Sequence, residues 1–148
     1  MKKRILSILC AGSLLALALA GCGGGSASYA DGTYEGRSQV YEDEEDGDGN
    51  GYGVVSLTIR DGVIADCSFQ TFQVDGTPKD GEYGKAGGAV ANEDYYNKAQ
   101  RAVKACDEYA RQLTETGDPG KVDGISGATI NYDEFQEAVR DALSQAKG

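Results

Sequence analysis

The chain has 148 residues, a formal net charge of −10, four cysteines and no histidine. Such an acidic surface is the wrong sign for a nucleic-acid binder, and the lack of histidine and of any Cys-x-x-C pair removes the usual zinc and thioredoxin-like arrangements. About 120 residues lie beyond the N-terminal segment, enough for one hydrophobic core but not two. The chain begins with Lys2, Lys3 and Arg4 ahead of an apolar run over residues 5–20. This is the pattern of an export signal, and the run is too short and too rich in Ala, Gly and Ser for a transmembrane helix.

The run ends in Leu19-Ala20-Gly21-Cys22, which resembles the lipobox of bacterial lipoproteins. The resemblance implies a lipoprotein signal peptide over residues 1–21, with the Cys22 thiol accepting diacylglycerol. A cleaved signal followed by an unrelated cysteine is the alternative. Either way the domain is exported, and the lipobox places it extracytoplasmically on a bacterial membrane. Losing the three n-region charges moves the formal charge from −10 to −13, a field that disfavours anionic head groups as well as nucleic acid. Residues 22–30 then form the lipidated cysteine and a Gly/Ser/Ala tether, which reaches about 25 to 30 Å at full extension.

The domain, residues 31–148, opens with Asp31-Gly32-Thr33-Tyr34 and strand-like residues through Tyr41, interrupted by the acidic residues 42–48. A second strand is expected from about Tyr52 to Arg60, where Val55, Leu57 and Ile59 alternate with Ser56 and Thr58. Asp61-Gly62 is a two-residue hairpin signal. The third strand runs from Val63 to about Phe72, with Val63, Ala65, Cys67 and Phe69 expected on one face. Residues 76–88 read as loop.

Asn92 is a helix N-cap with Glu93 and Asp94 in the first turn. Tyr95, Ala99, Ala102, Val103, Cys106, Ala110 and Leu113 follow at helical spacing until Gly117-Asp118-Pro119-Gly120. Cys67 and Cys106 are either a disulfide or two buried thiols. In the last helix Asn131 and Glu134 read as a capping-box variant, and Phe135, Ala138, Val139, Ala142, Leu143 and Ala146 form one stripe. The fold class expected is α+β: a small antiparallel meander packed against two α-helices.

Just before that last helix stands Asp123-Gly124-Ile125-Ser126-Gly127-Ala128-Thr129, small residues ending in a hydroxyl. Glycines permit close backbone approach, and a helix N-terminus offers unpaired N–H groups to an anion. Residue chemistry alone gives a phosphate site or an elaborate helix cap. The segment is similar to the flavinylation motif of the FMN-binding domain family, in which an Asp is followed after two residues by Ser or Thr, then Gly, Ala and an acceptor Thr. The Asp31-to-Tyr34 segment, the Asp61-Gly62 turn, the 75–85 loop and the last helix occur in the same order in small members. Where many members carry Ser or Thr two positions after the acceptor, this chain has Asn131.

The resemblance implies that Thr129 bears FMN through a phosphodiester, with the flavin loop at the N-terminus of the last helix. Asp123 and Ser126 would help present the motif to a separate magnesium-dependent flavin transferase, with Gly124 counted among the cofactor-binding residues. Gly127 and Ala128 would leave room for the ribityl phosphate. Weaker candidates for flavin contact, on position alone, are Tyr83, Tyr95 and Tyr96 for stacking and Lys79, Lys85 and Lys121 for charge. The implied function is an electron carrier without catalytic residues of its own, exchanging electrons with a membrane-bound donor such as a dehydrogenase or quinol-linked complex.

Asp46-Gly47-Asp48-Gly49-Asn50-Gly51 matches the first half of an EF-hand loop, but the closing glutamate position is Leu57, so a solvated hairpin loop is the better account and no metal is expected. Two other readings stay open. One is a non-covalent ligand- or metal-binding surface lipoprotein without a redox role, and the other is a surface-interaction lipoprotein acting through the acidic loop.

Overall fold

Alternation sets the sheet. In the computed structural model, which describes residues 28–43, 45, 47 and 49–147, β1 (Gly32–Arg37), β2 (Tyr52–Arg60) and β3 (Val63–Phe72) form an antiparallel sheet in the order β1-β2-β3. The export signal, Cys10, Cys22, most of the tether and Glu44, Asp46 and Asp48 lie outside the described residues. Val55, Leu57 and Ile59 of β2 are buried while Ser56 and Thr58 face the other side, as a half-buried strand requires. Asp61 and Gly62 both have positive φ, 54° and 75°, the two left-handed residues of a type I′ hairpin turn.

One expectation about β3 fails for a geometric reason. Register runs from Thr58↔Asp66 to Ile59↔Ile64, so Ala65 is an extra residue and the strand carries a bulge. The bulge reverses which side chains face inward at the turn end. Ile64 is buried and Val63 is 56% exposed, whereas Cys67, opposite Leu57, and Phe69 keep the inward face. Both described cysteines are free thiols. Burial pushes both up, Cys67 to about 12, so neither is a ready thiolate.

α1 (Glu93–Thr116) starts where the sequence places it, because the Asn92 Oδ1 accepts from the Tyr95 N–H at 3.0 Å. Gly117, at φ 64°, ends it by donating to the Leu113 carbonyl. A 3-10 turn at Pro119–Lys121 leads to α2 (Thr129–Gln145). α1 packs on β3 and α2 on β1 and β2, both on the inner face. The outer face carries a ladder in which the Arg37 guanidinium lies 3.5 Å above the Tyr52 ring and that ring stacks on Phe72.

The start of α2 corrects a second expectation. Ala128, not Asn131, is the cap residue, and no side chain caps the helix. Its carbonyl already accepts from the Tyr132 N–H at 3.0 Å, so Asn131 falls inside the first turn. There it is buried, and its amide donates to the Ala102 carbonyl at 3.2 Å and the Cys106 Sγ at 3.3 Å. A buried amide is satisfied by α1 instead of by its own helix end. The apolar stripe from Phe135 to Ala146 is buried as expected. At the far end of α2 the Ala30 N–H donates to the Ala146 carbonyl at 2.8 Å, which brings the chain's entry into the domain beside its last helical turn.

α2 crosses β1 closely at Gly36, where an added Cβ would collide with the Ala138 carbonyl oxygen and the Ala142 backbone nitrogen. Neither obstacle is a flexible side chain. Gly36→Ala is therefore expected to lower stability by about 1–3 kcal/mol or more in urea unfolding. Gly81→Ala, with nothing within 4 Å of its Cβ, should stay within about 0.5 kcal/mol of the parent protein.

Candidate functional site

The loop between the two helices is held from below by side chains of both. The Asp123 N–H donates to the Gln112 Oε1 at 2.8 Å, the Tyr132 hydroxyl donates to the Val122 carbonyl at 3.0 Å, and the Gln136 amide donates to the Pro119 carbonyl at 3.0 Å. Most constraining is Tyr109 of α1, which has no solvent exposure. Its hydroxyl accepts from the Ile125 N–H at 3.0 Å and donates to the Ala128 carbonyl at 3.1 Å, gripping both ends of the Ser126-Gly127 turn. Burial raises the phenol above its ordinary value, so it stays neutral and able to do both. The ring is itself fixed between Phe135 and Tyr132, each with its centroid 5.6 Å away.

Gly127 turns the chain at φ 82°, and nothing lies within 4 Å of where a Cβ would be. The turn therefore uses the left-handed conformation glycine tolerates and leaves open space above the backbone. Ala128 is buried beneath it and Thr129 is exposed as the first residue of α2. The uncapped N-terminus of α2 presents backbone N–H groups and the positive end of the helix dipole beside the Thr129 hydroxyl.

This end of α2 forms one wall of a cavity of about 230 Å³. Tyr83, Tyr95 and Val103 supply aromatic and apolar surface, and Lys79 and Lys98 supply positive charge. Lys79 is only 4% exposed; its Nζ donates to the Gly49 carbonyl at 2.7 Å and lies 5.4 Å from the Tyr83 ring centroid. Burial pulls its ammonium below the ordinary lysine value, against the opposing charge of Glu134. An open hydroxyl, an uncapped helix end, aromatic surface and two cations suit a planar ligand that carries a phosphate.

The residues singled out from sequence separate into two groups. Thr129, Gly127, Ala128, Tyr83, Tyr95 and Lys79 share the cavity wall. Asp123, Gly124 and Ser126 are exposed and do not line it. Lys85 pairs with Glu82 at 2.7 Å, Lys121 is 4.0 Å from Asp118, and the Tyr96 hydroxyl donates to the Gly81 carbonyl, all away from the cavity lining. The sequence does not single out Tyr109 or Lys98, and it marks Glu134 only as half of a capping box. Tyr109 sits three residues after Cys106 and four before Leu113, which marks it as core but not as a loop anchor. Lys98 shares helical spacing with Tyr95 and Ala102, a weaker signal.

A family model described as the FMN-binding domain matches residues 48–144, a span that contains the whole cavity lining. Among solved structures, a crystal structure of a Clostridium perfringens protein is similar over 80% of this chain and 88% of its own, with 18% identity and a TM-score of 0.56. A solution structure of a Clostridium thermocellum protein covers 80% of this chain and 92% of its own at 21% identity and a TM-score of 0.41. The first shows a shared fold. A search of the curated proteins by sequence finds no match.

Tyr109→Phe keeps the ring packing but removes both loop bonds, leaving the Ile125 N–H to find another partner and the Ala128 carbonyl with the Tyr132 N–H alone. The expected outcome is a loss of about 1–3 kcal/mol together with much faster amide exchange at Ile125 than at α1 core positions such as Leu113, read by hydrogen–deuterium exchange.

Proposed function

Because this chain belongs to the FMN-binding domain family, we propose that it is a membrane-anchored extracytoplasmic flavoprotein carrying FMN covalently on Thr129 and shuttling electrons between membrane-associated redox partners. The observation that carries this reading is the exposed Thr129 hydroxyl at the uncapped end of α2, on a loop pinned by Tyr109, opening on a cavity with aromatic and cationic walls.

In this reading the Thr129 Oγ forms the new bond to phosphorus when a flavin transferase cleaves the pyrophosphate of FAD, and AMP leaves. The phosphodiester keeps one negative charge, which the first N–H groups of α2 receive. Gly127 leaves room for it, and buried Ala128 fixes the backbone beneath. Asp123, Gly124 and Ser126 face solvent, where a modifying enzyme would reach them. Tyr83 and Tyr95 offer ring faces, while Lys79 and Lys98 offset added charge. FMN supplies the electron-transfer chemistry when bound, and the chain holds, orients and tunes it. The protein is thus the transferase's substrate and a carrier, not an enzyme with its own turnover.

No helix among the described residues is long and apolar enough to cross a membrane. Attachment in this reading rests on lipidated Cys22, and the short tether keeps the domain at high effective concentration around a membrane-bound dehydrogenase or quinol-linked donor.

Full-length protein produced with a flavin transferase in an exported compartment should gain the mass of one FMN less water and a flavin absorption spectrum. Thr129→Ala should lose both. A colourless, unmodified parent protein would instead favour a non-covalent binding lipoprotein. Cys22→Ala should move the protein from the membrane to the soluble fraction and slow its reduction by membranes; an unchanged rate would count against the anchored carrier.

A further inference from the structure

Two openings flank the first turns of α2, and Ile130 borders both. One is the cavity beside Thr129. The other, about 210 Å³, is walled by Gln39 and Tyr41 from the connection after β1 and by Glu134 and Glu137 of α2. Lys79 lines the first opening and Glu134 the second. Glu134 is 3% exposed, and neither carboxylate oxygen has a hydrogen-bond partner. A buried carboxylate left without donors is strongly disfavoured unless it is neutralised.

The groups that act on Glu134 come from every side. Burial disfavours its charged form, Lys79, in the segment after β3, favours it, and Glu137 on its own helix opposes it. Asp133 and Tyr41 share its opening, and the Cys106 thiol of α1 lies on the side of Lys79. β2 approaches through Gly53, which brings no charge. The balance pushes Glu134 up to about 7, so near neutral pH it is poised between its two forms.

We propose that Glu134 is the proton-loading residue of the cavity, taking up a proton from solvent through the second opening when negative charge is added beside Lys79, and releasing it when that charge leaves. The proposal rests on the carrier reading above. Lys79 is the cation that holds Glu134 ionised, and negative charge entering the cavity offsets that cation. The carboxyl then binds a proton more tightly, and occupancy rises. Of the two negative charges delivered by an electron pair from a redox partner, one is met by a proton that the bound cofactor itself takes up and the other, where Glu134 is still ionised, by a proton drawn from solvent that forms an O–H bond on its carboxylate. Oxidation by the next partner removes the charge and returns the proton.

The test uses the full chain with flavin loaded and its absorbance verified first. Carboxyl carbon NMR should give Glu134 a titration midpoint near 7 in flavin-free protein, and a higher midpoint after dithionite reduction than before it in loaded protein. In weakly buffered solution at pH 7, dithionite reduction of the parent protein should take up more protons per flavin than Glu134→Gln, by at most about half a proton, since half or more of the carboxyls are already loaded at that pH. Equal uptake, or a midpoint in the ordinary glutamate range, would overturn the proposal while leaving the carrier intact. Failure to load any flavin would overturn the carrier reading and this one with it. The NMR titration needs no variant, so a poorly folded Glu134→Gln would not obscure the result.

Discussion

Much of this structure depends on one phenol oxygen placed where no water reaches it. Tyr109 belongs to α1, yet both of its hydrogen bonds go to the segment that introduces α2. Without it the Ile125 N–H would lose its partner and the Ala128 carbonyl would keep only the Tyr132 N–H, a cost comparable to that of the bonds themselves. Because the ring is wedged against Phe135 and Tyr132, the hydroxyl has little freedom to follow a shifting loop. The spacing between the middle of α1 and the beginning of α2 is set by this contact and by Asn131, which reaches from the first turn of α2 to Ala102 and Cys106. That spacing is the width of the cavity.

Charge is distributed unevenly around this frame. The chain as a whole is strongly acidic, but the cavity wall presents Lys79 and Lys98. Keeping Lys79 nearly buried costs solvation, and the structure offsets part of that cost with the Gly49 carbonyl and with the charge of Glu134. A pair so arranged is a weak contributor to stability but a sensitive one to any charge placed nearby.

Local signals told most of the fold. The Asp61-Gly62 turn, the limits of β2 and β3 and the Asn92 cap each depend on residues adjacent in sequence, and each stands where the residue chemistry puts it. The failures are of another kind. Val63 was misplaced because a bulge changes the parity of a strand without changing its composition. Asn131 has the chemistry of a cap, but its partners are twenty-five and twenty-nine residues away on α1. Glu134 follows an asparagine at capping-box spacing, and only its burial against the sheet distinguishes it from a surface acid. Within the motif, Thr129 and Gly127 were legible as neighbours of a helix end. The walls opposite them, Tyr83 and Lys79 from a loop and Lys98 from α1, are assembled by tertiary packing.

The bond between Ala30 and Ala146 gives the domain a polarity. It fastens the incoming chain to the end of α2 opposite Thr129, and a helix of this length separates those two points by about 25 Å. The chain therefore enters at the heel of a rigid lever whose toe is the cavity. Any swivelling about the entry point carries the cavity through a wide arc, whereas the heel moves little. A molecule docked near the entry would sit a whole helix length away from the Thr129 hydroxyl.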